Sequence, residues 1–213
     1  MKRSILMLML CGCSVVSAFA QSMDSLFVHI PNEVLPMLVR NTRLDMLDLY
    51  NCGMKAEVEN DFGGRACLLQ KDSVHLLVQT SNVSRLELRV LPSDGDTLLG
   101  CVRTVETPAA YSQVQFFTRN WKPVRSPLSD EVAFSACWKP AEDFSDDRKE
   151  ELRRALLPAR YLVSWQQSAE GQPVLCYEVS VTGLMSKDAE DARRCLKPAK
   201  WVWQKKKLVR LED

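Results

Sequence analysis

The chain has 213 residues, 46% hydrophobic and 26% charged, an ordinary globular balance with enough length to bury a real core. Its 28 basic and 27 acidic residues leave a net charge of +1, so no electrostatic field points to nucleic acid or an anionic membrane as partner. No segment after the first twenty residues approaches 18 consecutive apolar positions, so no transmembrane helix is expected there.

Residues 1–20 read as a secretory leader. Lys2 and Arg3 form the basic end, Ile5 to Val16 is mostly apolar, and Ala18-Phe19-Ala20 is an A-x-A cleavage site that makes Gln21 the first mature residue. A second processing outcome stands beside it. Leu10-Cys11-Gly12-Cys13 resembles a bacterial lipobox, which would leave Cys13 as a lipidated start. Export permits disulfides among the six later cysteines. Cys176 and Cys195 are the favoured pair because one helix joins their elements, and the alternative is buried thiols acting as small hydrophobes.

Leu26 to Gly53 is expected to form a helical hairpin. Val34, Leu35, Leu38 and Val39 have the spacing of one apolar stripe, with Pro36 placing the helix start near Leu35. Thr42 and Asp45 read as a capping box for a second helix that turns Leu44, Leu47 and Tyr50 to one side and stops at Gly53. Strands follow over 54–60, 66–70, 74–80, 85–91, 97–105 and 112–119. Short turns link them, so they pair antiparallel. After Trp121 two X-Pro steps mark a boundary between an N-terminal half (21–121) and a C-terminal half (122–213), or a bend in one continuous domain. In the second half Val132, Phe134, Ala136 and Trp138 alternate as a strand, 143–157 is a helix, 161–166 and 174–181 are strands, 186–196 is a helix, and 200–211 is a strand or a hairpin turning near Lys205. No exact internal repeat is visible, although helix followed by antiparallel strands recurs in both halves. The fold class is α+β: a mainly antiparallel sheet with the N-terminal helical hairpin packed on one face.

Chemistry is sparse. His29 and His75 are the only histidines, and no H-E-x-x-H, G-x-S-x-G or mature C-x-x-C occurs. Asp94-Gly95-Asp96 and the acidic run 142–147 read as a turn and a helix start rather than calcium loops. Trp201 and Trp203 beside Lys205 to Lys207 read as core tryptophans with lysines guarding an edge strand. No cofactor, metal or catalytic residue is nominated.

Met23-Asp24-Ser25-Leu26-Phe27, Asn41-x-Arg43-Leu44-Asp45-Met46-Leu47-Asp48, Met54-Lys55-Ala56-Glu57-Val58, Gly63-Gly64 and Ser112-x-Val114-x-Phe116 resemble an uncharacterised family of exported Bacteroidetes proteins known as a domain of unknown function. The resemblance implies a signal peptide, a periplasmic or outer-envelope location and no assigned activity. In that lineage Asp96-Thr97-Leu98 resembles an O-glycosylation sequon, with Thr97 as acceptor. The expected function is a non-enzymatic envelope module that binds a protein or a glycan. The alternatives are a carboxylate-dependent hydrolase and a lipid-anchored structural factor.

Overall fold

A computed structural model describes residues 22–93, 97–106 and 109–212. Strands β1 (Glu57–Glu59), β2 (Arg65–Lys71), β3 (His75–Ser81), β4 (Ser84–Leu91), β5 (Leu98–Val105), β6 (Tyr111–Thr118) and β7 (Pro123–Val124) form one sheet in chain order. Every neighbouring pair is antiparallel, as the short turns require. Alternation sends Leu86, Leu88, Leu99, Cys101 and Phe117 to one face, where they form a core with two helices.

Those helices are α1 (Met23–Val28) and α2 (Arg40–Asn51), so the first member of the hairpin lies earlier than Leu35. Pro31 and Pro36 lack an N–H and disfavour helix in the residue before each, and 31–38 runs in turns. Val34, Leu35 and Leu38 are buried all the same, whereas Val39 is exposed. The expected capping box is absent because α2 starts before Thr42. Its first turn is capped from a distance, the Val39 N–H donating to the Asp61 carboxylate at 2.8 Å. The inward face of α2 carries Arg43, Met46 and Leu47, while Leu44 is turned out. Arg43 is fully buried and donates to the carbonyls of Phe27 (3.0 Å) and Ile30 (2.6 Å), closing the C-terminal end of α1. Gly53 ends α2 as expected. At φ +71° its N–H donates to the Tyr50 carbonyl and that of Met54 to the Leu49 carbonyl, the paired bonds of a Schellman motif.

The C-terminal half interleaves helices α3 (Asp130–Cys137), α4 (Asp146–Ala155) and α5 (Ser186–Arg194) with strands β8 (Tyr161–Gln167), β9 (Pro173–Val179), β10 (Ala199–Gln204) and β11 (Lys207–Leu211). The strands form a second antiparallel sheet, ordered β11-β10-β9-β8. Where a strand over 132–138 is expected, α3 forms instead. The Ser129 hydroxyl caps it by accepting from the Val132 N–H, and Asp130 and Glu131 complement the dipole of its first turn. Its buried positions, Ala133, Phe134, Ala136 and Cys137, follow the helical period, and Val132 is left exposed.

A repeat does exist within this half. Arg153-Arg154-Ala155-Leu156-Leu157-Pro158-Ala159-Arg160-Tyr161 ends α4 and opens β8; Arg193-Arg194-Cys195-Leu196-Lys197-Pro198-Ala199-Lys200-Trp201 does the same for α5 and β10. The proline stops each helix, and the residue after it enters or approaches a strand. A third copy of the joint, Cys137-Trp138-Lys139-Pro140-Ala141, follows α3. The joints after α3 and α5 meet face to face. Trp138 bridges Leu196, the Lys139 N–H donates to the Cys195 carbonyl (2.7 Å), and the Lys197 N–H donates to the Cys137 carbonyl (2.9 Å). Arg148 of α4 then ties the two repeated helices together, donating to Asp188 (2.7 Å) and Asp191 (2.6 Å) of α5.

The two sheets meet where β8 crosses the open face of β4–β6. The Trp165 ring lies on Gly100, where an added Cβ would fall 2.2 Å from the ring. The outward N–H groups of β8 find side chains: Val163 donates to the Ser112 hydroxyl (3.0 Å) and Trp165 to the Glu87 carboxylate (3.1 Å). The other oxygen of Glu87 bonds Nε2 of the buried His75 at 2.8 Å. Leu91, Val102 and Phe116 of the first sheet join Trp165, Tyr177 and Trp201 in a second core. The strand β7 still pairs with β6, so the first sheet runs past Trp121.

Candidate functional site

The turns of 31–38 leave a cleft of about 380 Å³ against the ends of β3–β6. Val34, Met37, Leu86 and Val105 line it, with Phe62 and Tyr111 at the rim. Phe62 is 68% exposed and Tyr111 is 42% exposed, so both rings present apolar surface at the opening. The turn that presents Phe62 is rigidly built. The buried Asn60 side chain accepts from the N–H groups of Phe62 (3.0 Å) and Gly64 (2.9 Å) and donates to the Thr80 carbonyl (2.8 Å). Gly63 at φ +76° makes the reversal possible. Arg103 supplies the polar contact, its guanidinium held by Gln113 (3.1 Å), Gln115 (3.2 Å) and the Val34 carbonyl (3.4 Å). Arg85, paired with Glu106 at 3.1 Å, stands at the same cleft. Among the described residues no carboxylate lines it. Apolar walls with a few fixed cationic donors are what a ligand's hydrophobic group needs.

A second hollow, of about 560 Å³, lies between α3 and the end of α4. Phe134 and Trp138 stack there at 5.9 Å and 16°, near Arg153, Asp130 and Glu131. The two carboxylates are consecutive on a helix and diverge. Among the described residues no acidic side chain from another element lines the groove, whereas glycoside hydrolysis uses a facing pair.

The thiols are set for packing. Burial pushes Cys101 up to about 12 and Cys137 to about 11, and raises Cys67 and Cys176 as well. A nucleophilic thiol needs the opposite shift. Cys176 and Cys195 are both buried, and all the described cysteines are free, Cys52 being exposed and Cys67 half-buried. Leu175 and Tyr177 turn into the second core, so alternation sends Cys176 to the far face of its sheet while Cys195 lies within that core. His29 bonds the Ser25 carbonyl at 2.7 Å on the surface. Trp201 and Trp203 are buried, leaving Lys205 to Lys207 exposed without an aromatic platform. Among the described residues no group of three His, Cys, Asp or Glu side chains is placed to hold a metal, and no helix is long and apolar enough to cross a membrane. Thr97 is half-buried just before β5. Cys13, Ala20, Gln21 and the turn 94–96 lie outside the described residues.

A family profile described as "Protein of unknown function (DUF3256)" matches residues 15–208. The chain belongs to that family. A solved domain of an uncharacterized protein from Porphyromonas gingivalis W83 is similar to this DUF3256 chain in fold, with a TM-score of 0.71 over 89% of this chain and 98% of that one, at 24% identity. No curated protein matches. The Bacteroidetes source of that neighbour agrees with the resemblance drawn from the N-terminal residues.

Proposed function

We propose that this chain is an exported cell-envelope module without catalytic activity, which binds a partner polypeptide by taking its large apolar side chains into the cleft at Arg103. The observation that carries the reading is the pair of exposed rings, Phe62 and Tyr111, framing an apolar hollow whose polar donors are already oriented. Export rests on the leader: the basic start, the apolar run and the A-x-A site before Gln21. Release by cleavage is favoured over an anchor at Cys13, and Thr97 stands as the O-glycosylation site.

A photo-crosslinker placed at Phe62 in intact cells is expected to capture one specific partner, and Tyr111→Ser to weaken that capture about tenfold, as loss of an aromatic anchor does. Crosslinks that ignore Tyr111, or none above background, would overturn the cleft. An intact mass beginning at Gln21 supports release; a diacylated Cys13 replaces it with the anchored form. A glycan is the second reading, favoured by the Phe134–Trp138 stack beside Asp130, Glu131 and Arg153. Its test is oligosaccharide binding that Trp138→Ala abolishes.

A further inference from the structure

We propose that β11 is a self-pairing edge, through which two copies of this chain join antiparallel around a two-fold axis at Val209. The strand is the outer member of its sheet, and Lys207, Val209, Arg210 and Leu211 are exposed along it. Val209 is 45% and Leu211 40% exposed, beside the buried Val202 of β10. Lys205 and Lys206, at φ +45° and +67°, make the two-residue turn of the β10–β11 hairpin. Such a turn makes its flanking pair, Gln204 and Lys207, hydrogen-bonded. Alternation along the ladder then points the backbone groups of Leu208, Arg210 and Glu212 away from β10.

These outward groups restrict the register. Centred on Leu208, self-pairing sets Arg210 of one copy opposite Lys206 of the other. Centred on Arg210, it sets Arg210 opposite itself. Centred on Val209, the middle of β11, it pairs the whole strand and brings Lys206 of the turn to Glu212, twice over by symmetry, with Val209 meeting Val209 and Leu208 meeting Arg210. Like charges directly opposite are destabilising and unlike charges favourable. A register centred on Leu211 also sets Arg210 opposite Glu212 but overlaps only the end of the strand, so the Val209 register alone combines full overlap with complementary charge. Of the guarding lysines, Lys205 and Lys206 sit in the turn and Lys207 opens the strand, and Glu212 just past β11 matches Lys206. An isologous interface of this kind closes at two.

The test is sedimentation equilibrium of the purified protein with Lys206→Glu, Glu212→Lys and an equimolar mixture of the two. The wild type is expected to dimerise. Each variant alone sets two like-charge pairs across the axis and associates about tenfold more weakly. The mixture sets two opposite-charge pairs and recovers association. In a Cys52→Ser background, Val209→Cys is expected to form an intermolecular disulfide. A wild type that stays monomeric at every concentration, or a mixture no stronger than its components, overturns the proposal.

Discussion

The two halves of the molecule reach the same layered arrangement by different routes. In the first, seven strands follow one another with turns alone between them, and both covering helices come before the sheet begins. In the second, each hairpin is preceded by a short helix, and one joint of helix, proline and strand is used twice. The contrast teaches that a sheet needs its cover supplied once, by whatever segment of chain is at hand. The first half draws on a single N-terminal cap. The second brings a helix with each hairpin and borrows its remaining cover from Leu91, Val102 and Phe116 of the first.

The strongest way to break this borrowing is at Gly100. Gly100→Val drives a side chain into the Trp165 ring and is expected to cost about 2–3 kcal/mol, as overpacking does. Wild-type protein should melt in one transition by circular dichroism and by tryptophan fluorescence; the variant should separate the two signals, since four of the five tryptophans lie in the second half. Next in size is Glu87→Ala, which strands the Trp165 N–H and the His75 ring in a buried place, for about 1–3 kcal/mol in urea unfolding. Glu87→Gln keeps an acceptor for Trp165 and should recover part of that loss. Alkali sharpens the comparison most gently. Burial raises the Cys137 thiol to about 11 and holds the Tyr161 and Tyr177 phenols above their usual range, so the folded second half keeps protons that the unfolded chain releases. Stability is whole below the ordinary thiol value near 9.0 and falls as pH rises toward about 11. In the first half the raised groups are the thiols Cys67 and Cys101, whose loss begins at the same ordinary thiol value, so the two raised phenols are the second half's additional burden. Tryptophan fluorescence should therefore change at lower pH than the circular dichroism of the whole.

The meander was readable because its strands alternate. In β4, Leu86, Leu88 and Val90 set against Arg85, Glu87 and Arg89 gave the strand and its core face. The alternation left the environment of the charged face open, and Glu87 and Arg89 are buried there beneath the second sheet. Gly100 was the available signal. A lone glycine inside a strand marks a close approach, and here the approach is Trp165. The α3 helix was misread because Val132, Phe134, Ala136 and Trp138 satisfy a period of two, while the capping Ser129 and the acidic first turn argued for a helix. The cleft was out of reach. Its walls come from residues far apart in the chain, such as Val34, Phe62, Arg103 and Tyr111, and each apolar one reads alone as core.

The side chains of Ser112 and Glu87 that accept from Val163 and Trp165 have a further effect. They plug one end of the four-stranded sheet with groups that offer no backbone for another chain to copy. The other sheet ends in β1 and β7, which are three and two residues long, too short to template growth. Among the described residues the two sheets thus have one open terminus for strand addition and three shut ones, so a contact made there closes on itself instead of propagating into a fibre.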